Sequence, residues 1–212
     1  MKDREIHAAI RILRREVPKW ETPIVTLMAE TYESPFRVLI SCILSLRTQD
    51  STTAKASHRL FAVADTPQAM VKLSAKKIEK LIYPVGFYKT KAKNILEICR
   101  TLTDEHGGKV PDEIDHLLKF KGVGRKTANL VVTLGYQKPG ICFDTHVHRI
   151  SNRWGYINTK TPEKTEIALR AKLPKQYWIE YNDLLVSFGQ HLCRPISPVC
   201  SQCPVKKYCK QI

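Results

Sequence analysis

The chain has 212 residues, which allows one globular unit or two small lobes with real cores. Hydrophobic residues make up 43% and charged residues 26%, ordinary for a globular protein, but the formal net charge of +15 points to a polyanionic partner, most often nucleic acid; a ribosome-associated or simply basic protein carries such a surplus too. The charged amphipathic start has no signal-peptide core and no window approaches 18 uncharged apolar residues, which argues against secretion and membrane spanning, places the chain in a reducing cytosol, and rules out reading its seven cysteines as a disulfide framework.

Helical periodicity runs through nearly the whole sequence. Ile6, Ala9, Ile10, Leu13 and Val17 recur at spacings of three and four until Pro18 ends the pattern. Ser34 followed by Pro35 reads as an N-cap with proline at the first helical position, opening an apolar run from Val38 to Leu46. Further helices are predicted over Thr52–Val63, Ala75–Ile82 and Lys89–Glu105, the last closed by Gly107-Gly108. Asp112–Lys119 leads into Gly122-Val123-Gly124, and an apolar pattern resumes from Ala128 to Leu134. Thr161-Pro162 opens another helix, and Tyr177 to Phe188 reads as one more. Period-two alternation, tandem repeats and low-complexity linkers are not found, so the expected class is all-α. Joints rich in proline and polar residues at Pro18–Pro23 and Tyr136–Gly140 suggest two helical lobes. If the cysteine-rich tail packs on the first helix, one lobe is built from both chain ends.

The tail reads Cys193-x6-Cys200-x2-Cys203-x5-Cys209, four thiols within 17 residues interleaved with Pro195, Pro198 and Pro204. Such a compact loop has little apolar content of its own, so a metal centre is expected to hold it together. Zinc usually takes two separated Cys-x2-Cys pairs, and only one close pair exists here. A [4Fe–4S] cluster also uses four cysteines and suits the wider gaps. The spacing leaves both open. Cys42, Cys99 and Cys142 stand singly in apolar stretches and read as small buried hydrophobes.

The segment from Leu117 through Lys121, Gly122, Val123, Gly124, Arg125 and Lys126 to Ala128 is the most informative. Two helices meet at a turn whose glycines permit positive φ and close backbone approach. The unpaired N–H groups at the start of the second helix suit a phosphate oxygen, and Lys121, Arg125 and Lys126 surround them with positive charge. That makes a clamp for a nucleic-acid backbone, which positions without reading sequence. Lys126 is either another phosphate-contacting or solvated lysine, or an amine nucleophile. In the second role a helix N-terminus, cationic neighbours and desolvation by a bound nucleotide would together favour the neutral amine. Asp144, before an apolar-periodic helix, reads as an N-cap, and a capping carboxylate held that rigidly can also stabilise a cationic transition state. His146 and His148 lack a third nearby ligand and read as a packing or backbone-bonding pair.

Taken together, Gly122 to Asn129, Asp144-Thr145-His146-Val147, the four-cysteine spacing and Val85-Gly86-Phe87-Tyr88-x2-Lys91-Ala92-x2-Ile95 resemble the endonuclease III family within the helix–hairpin–helix DNA glycosylases. The resemblance spans the chain from the Ser34–Ala56 region to Cys209. It implies two helical domains: a six-helix barrel with the hairpin over residues 25–136, and a cluster domain formed by residues 1–24 with 137–212. It implies a monomer acting on double-stranded DNA with damaged bases or abasic sites, bound in the cleft between the domains with the nucleotide flipped out, in the cytoplasm on the nucleoid. Lys126 would attack the sugar C1′, expel an oxidised pyrimidine and leave a Schiff base, and β-elimination would cut the strand 3′ to the site. Asp144 would activate the lysine and stabilise positive charge on the sugar. Cys193, Cys200, Cys203 and Cys209 would ligate a [4Fe–4S] cluster that supports a DNA-contacting loop containing Arg194. Gly122, Val123, Gly124, Arg125, Lys121 and Lys91 are the other expected DNA contacts. Two positions depart from the family pattern. Arg47 stands where a glutamine usually fills the gap left by the flipped nucleotide, with Gln49 two residues on, so either side chain is a candidate. Lys121 replaces the usual proline before the glycines, adding charge but loosening the turn.

Overall fold

The computed structural model describes residues 1–20, 34–142 and 144–210; Pro23 of the first joint and Phe143 of the aspartate motif lie outside them. All regular structure among the described residues is helical, and no helix is long and apolar enough to cross a membrane. The chain divides into two compact units, one of Ile24–Lys138 and one of Met1–Pro23 with Pro139–Ile212.

In the first unit, α2 (Pro35–Ser45) starts where the Ser34 side chain accepts a hydrogen bond from the Arg37 N–H with Pro35 behind it. Its residues Phe36 to Leu44, apart from Arg37, are buried, so α2 is the central rod. Against it pack α3 (Asp50–Phe61), α6 (Tyr88–Glu105) and α8 (Arg125–Leu130). The single turn α4 (Pro67–Met70) packs on α6, and α5 (Ala75–Ile82) packs on α3 and α6. Ala56, Leu60, Ile78, Ile95, Leu102 and Ala128 are fully buried along these seams. Each large apolar group there contributes about 1.5–3 kcal/mol through burial.

Three elements differ from the sequence expectation. The helix expected over Asp112–Lys119 shrinks to α7 (Ile114–Leu117), because Lys119 and Phe120 tighten into i→i−3 bonds that lead into the hairpin. The second hairpin helix, α8 (Arg125–Leu130), starts just after Gly124 as expected, with Arg125 and Lys126 on its exposed first turn, but it widens into a π-helical turn over Val131–Gly135. The turn α4 has a Thr66 cap and Pro67 but is too short for periodicity to reveal.

The second unit pairs α1 (Asp3–Glu16) with α11 (Trp178–His191), which also packs on α9 (Thr145–Arg153); α10 (Pro162–Lys172) packs on α9. Ile6, Ile10 and Leu13 from α1 join Ile150, Trp154, Tyr181 and Phe188 in one core, and Cys193, Cys203, Tyr208 and Cys209 pack against its edge. Among its described residues the tail has two short 3₁₀ turns, Cys200–Gln202 and Lys206–Tyr208. Removing Trp154, 1% exposed, would cost about 3–5 kcal/mol by cavity formation.

Candidate active site and cysteine-lined cavity

In the Ile24–Lys138 unit the two hairpin glycines have different reasons to be glycine. Gly122 has φ +83°, and a Cβ there would lie 2.7 Å from Asn94 Nδ2, so the protein's own backbone demands it. Gly124 caps α8 with φ −93° and ψ 175°, a conformation open to any residue, and a Cβ there would meet nothing within 4 Å. The absence of a side chain at Gly124 leaves the backbone bare on an open face. Val123 is buried beneath the turn, and Lys121, Arg125 and Lys126 are exposed around it. Lys121 reaches Glu97 at 3.5 Å, with both side chains more than half exposed, a pair of little energetic weight. Beyond Lys126 the helix turns inward: Thr127 to Leu130 are buried, and the Asn129 side chain donates to Arg125 O.

Arg47 and Gln49 lie in the short segment between α2 and α3. Arg47 adopts a left-handed conformation, φ +52°, and is exposed; Gln49 caps α3, also exposed. The Arg47 guanidinium lies 5.8 Å from the centre of the Phe87 ring, and Phe87 is itself left-handed, φ +57°, and 63% exposed. Sequence reading missed Phe87 as a surface feature, although the glycine before it marked the loop.

Lys91 is a correction. Expected to contact DNA, it is 6% exposed, and its ammonium donates to Leu44 O at 2.8 Å, Leu46 O at 2.6 Å and Thr48 Oγ1 at 3.2 Å. All three ammonium protons are committed inside the protein. Burial lowers its pKa to about 8.

In the other unit Asp144 caps α9. One carboxylate oxygen accepts the N–H groups of His146 at 2.8 Å and Val147 at 2.9 Å, and the residue is 8% exposed. The two histidines bond to side chains of their own unit. His146 Nδ1 faces Arg149 Nη2 at 3.1 Å, and His148 Nδ1 meets Thr165 Oγ1 at 2.7 Å.

Cys193, Cys200, Cys203 and Cys209 all line one cavity of about 360 Å³, walled also by Trp154, Phe188 and Leu192. Among the described residues no three Cys, His, Asp or Glu side chains converge closely enough to hold a single metal ion. Four soft thiol donors around a partly apolar space suit an iron–sulfur centre in kind and in room. Arg153, at the end of α9, was missed by sequence reading. It donates to Arg194 O at 2.6 Å and Pro195 O at 2.8 Å and approaches Cys193 Sγ at 3.6 Å, while Arg149 donates to Cys193 O at 2.7 Å. With the Cys193, Arg194 and Pro195 carbonyls held, Arg194 and Ile196 face solvent.

Residues 40–175 match the family described as HhH-GPD superfamily base excision DNA repair protein. Endonuclease III of Thermotoga maritima is 49% identical over 176 residues, 83% of each chain. The chain belongs to the endonuclease III family. Two solved structures extend the likeness along its full length at 32% identity. One is a non-covalent endonuclease III–DNA complex, with a TM-score of 0.87 over all of this chain and 96% of that one. The other is a trapped endonuclease III–DNA covalent intermediate, with a TM-score of 0.86 over all of this chain and 97% of that one.

Proposed function

We propose that the chain is a bifunctional DNA glycosylase and abasic-site lyase, acting as a monomer in the cytoplasm on nucleoid DNA that carries oxidised pyrimidines. The observation that carries this reading is the hairpin. In a base excision repair family, an exposed Lys126 follows a turn whose Gly124 leaves bare backbone on an open face. The neutral Lys126 amine attacks C1′ of the damaged nucleotide, and the base departs with the bonding electron pair and takes up a proton. The sugar ring then opens: the attached nitrogen gives up a proton, the C1′–O4′ bond breaks with its electrons going to O4′, which takes up that proton, and the resulting lysine–sugar Schiff base acidifies the C2′ proton. Its removal expels the 3′ phosphate by β-elimination and cuts the strand. Asp144 supplies negative charge that favours cation development on the sugar. Gly122, Val123, Gly124, Lys121 and Arg125 hold a phosphate of the backbone, and Arg47 or Gln49 fills the space of the flipped nucleotide. The covalent endonuclease III–DNA intermediate among the relatives supports a covalent route.

Cys193, Cys200, Cys203 and Cys209 would hold a [4Fe–4S] cluster, which when bound supplies a structural tie for the tail and takes no part in base excision. The Arg194 loop, already held by Arg149 and Arg153, offers its exposed cation to a phosphate.

Borohydride reduction with an abasic-site duplex tests the reading. A stable protein–DNA adduct is expected from the natural chain and none from folded Lys126→Ala. Undiminished trapping in that variant removes the lysine from the mechanism. Salt-sensitive DNA binding without release or cleavage of any lesion would instead indicate a non-catalytic binding module.

A further inference from the structure

The exposed Arg47–Phe87 pair rests on an internal frame that the chemistry above does not use. The two residues sit on different loops, yet both are non-glycine residues in the left-handed region. Such backbones persist only where their surroundings over-determine them, and they gather at functional sites. Here the surroundings are specific. Thr48 Oγ1 accepts the Lys91 ammonium at 3.2 Å and the Gly86 N–H at 3.1 Å, joining the loop after α2 to the loop before α6. The loops touch so closely that a Cβ on Gly86 would lie 2.6 Å from Arg47 O. Lys91 also takes the carbonyls of Leu44 and Leu46, which flank the end of α2 and the start of the Arg47 turn. The Phe87 carbonyl in turn accepts the Lys91 backbone N–H, so one residue fixes both loops. The outer face of this frame shows the Arg47 guanidinium against an aromatic ring that is 63% exposed.

We propose that Lys91 is a positioning residue for lesion recognition: its buried ammonium, through Thr48, fixes Arg47 and Phe87 as one rigid prong that engages DNA only where a nucleotide is missing or displaced. The inference rests on the DNA-repair reading above, in which a side chain of this turn fills the space of the flipped nucleotide, and adds to it the buried residue that holds that side chain in place. Phosphate contacts elsewhere bind any duplex. A preformed cationic and aromatic prong gains only where a gap lets it enter, because entry into an intact stack has to displace a base. Lys91 is buried, and desolvation is what depresses its pKa. Three main-chain and hydroxyl oxygens do the compensating, and all three belong to the Arg47 turn or its immediate root.

The test compares binding of a tetrahydrofuran abasic-site duplex with that of the matched intact duplex at one salt concentration. Lys91→Met keeps the length of the buried stem and removes the donors. It should weaken lesion binding by about tenfold, equivalent to about 1.4 kcal/mol, and leave intact-duplex binding unchanged. Thr48→Val should show the same selective loss, and Thr48→Ser, which keeps the hydroxyl, should behave as the natural chain. Should Lys91→Met fail to fold, the Thr48 pair decides alone. Unchanged lesion preference in folded Lys91→Met, or Thr48→Val matching Thr48→Ser, overturns the proposal. So does equal weakening on both duplexes, which would make Lys91 a general affinity group. If the natural chain shows no lesion preference, the DNA-repair reading itself fails. A preference retained in every variant defeats only the role of Lys91.

Discussion

Replacing each hairpin glycine by alanine separates what the fold needs from what a DNA ligand needs. Gly122→Ala forces a left-handed alanine, at about 1–2 kcal/mol, and its methyl must also displace the Asn94 amide from 2.7 Å. Gly124→Ala meets neither obstacle, since φ is −93° and the Cβ direction is empty to 4 Å. Alanine is a poorer N-cap than glycine by several tenths of a kcal/mol, but it restricts the unfolded chain by about 0.4–1 kcal/mol. The two effects nearly cancel, so the urea midpoint of Gly124→Ala should stay close to that of the natural chain while Gly122→Ala falls. DNA affinity should show the reverse emphasis. If the open face of Gly124 receives a phosphate, the methyl stands in its place and removes charge-assisted N–H contacts worth about 1.5–3 kcal/mol, roughly ten- to a hundredfold in affinity. The slope of log affinity against log salt should flatten by about one contact. Fluorescence anisotropy across a salt series reads both quantities. Gly124→Ala binding intact duplex like the natural chain, slope included, would show that the bare backbone is not where DNA is held.

Two further outcomes follow from the cavity and the buried lysine. The purified protein should be yellow-brown, and Cys203→Ser should lose the visible absorbance and loosen the tail; a colourless protein with one equivalent of zinc would refute the cluster assignment. Lys91 titrates from its ordinary 10.5 down to about 8 through burial. Between those values the unfolded chain holds the proton more tightly than the folded one, so this group's contribution to stability rises as pH climbs from about 8 to 10.5. The urea midpoint of the natural chain relative to Lys91→Met should therefore increase across that window. A flat difference would mean that the three oxygens keep the proton in place.

Much of this molecule was legible because its signals are local. Ser34-Pro35 and Thr161-Pro162 each combine a capping hydroxyl with a fixed φ, and both begin helices as expected. The all-helical class followed from periodicity over long stretches, where no competing pattern intrudes. Motif types at fixed spacing gave the family. What sequence could not show is direction. A lysine four residues past the Phe87 loop reads as one more cation in a chain of net charge +15, and only the placement of the α2 carbonyls turns Lys91 inward. The left-handed state of Arg47 is equally invisible, because arginine carries none of the bias that glycine or asparagine has for that region. Arg153 lay unnoticed for the same reason: its partners are main-chain oxygens about forty residues away.

Asp144 presents the two-role problem in its sharpest form, and one substitution can divide the roles. Its carboxylate takes two N–H groups at the start of α9, and that alone would justify its burial at 8% exposure. Asparagine caps as well as aspartate, because the amide oxygen accepts the same N–H groups; alanine abolishes the cap at about 0.5–2 kcal/mol. Asp144→Asn should therefore hold its thermal midpoint to within the few degrees that lost charge near a helix N-terminus allows, whereas Asp144→Ala should fall further. If Asp144 is a cap and nothing more, base release by Asp144→Asn matches the natural chain. If its charge meets a cation on the sugar, release slows by about two orders of magnitude or more while abasic-duplex affinity stays near normal, because the lost interaction belongs to the transition state. Single-turnover release from a duplex with one oxidised pyrimidine reads the rate, and anisotropy with the abasic duplex reads the affinity. A rate in Asp144→Asn equal to that of the natural chain would leave the carboxylate with its structural role alone.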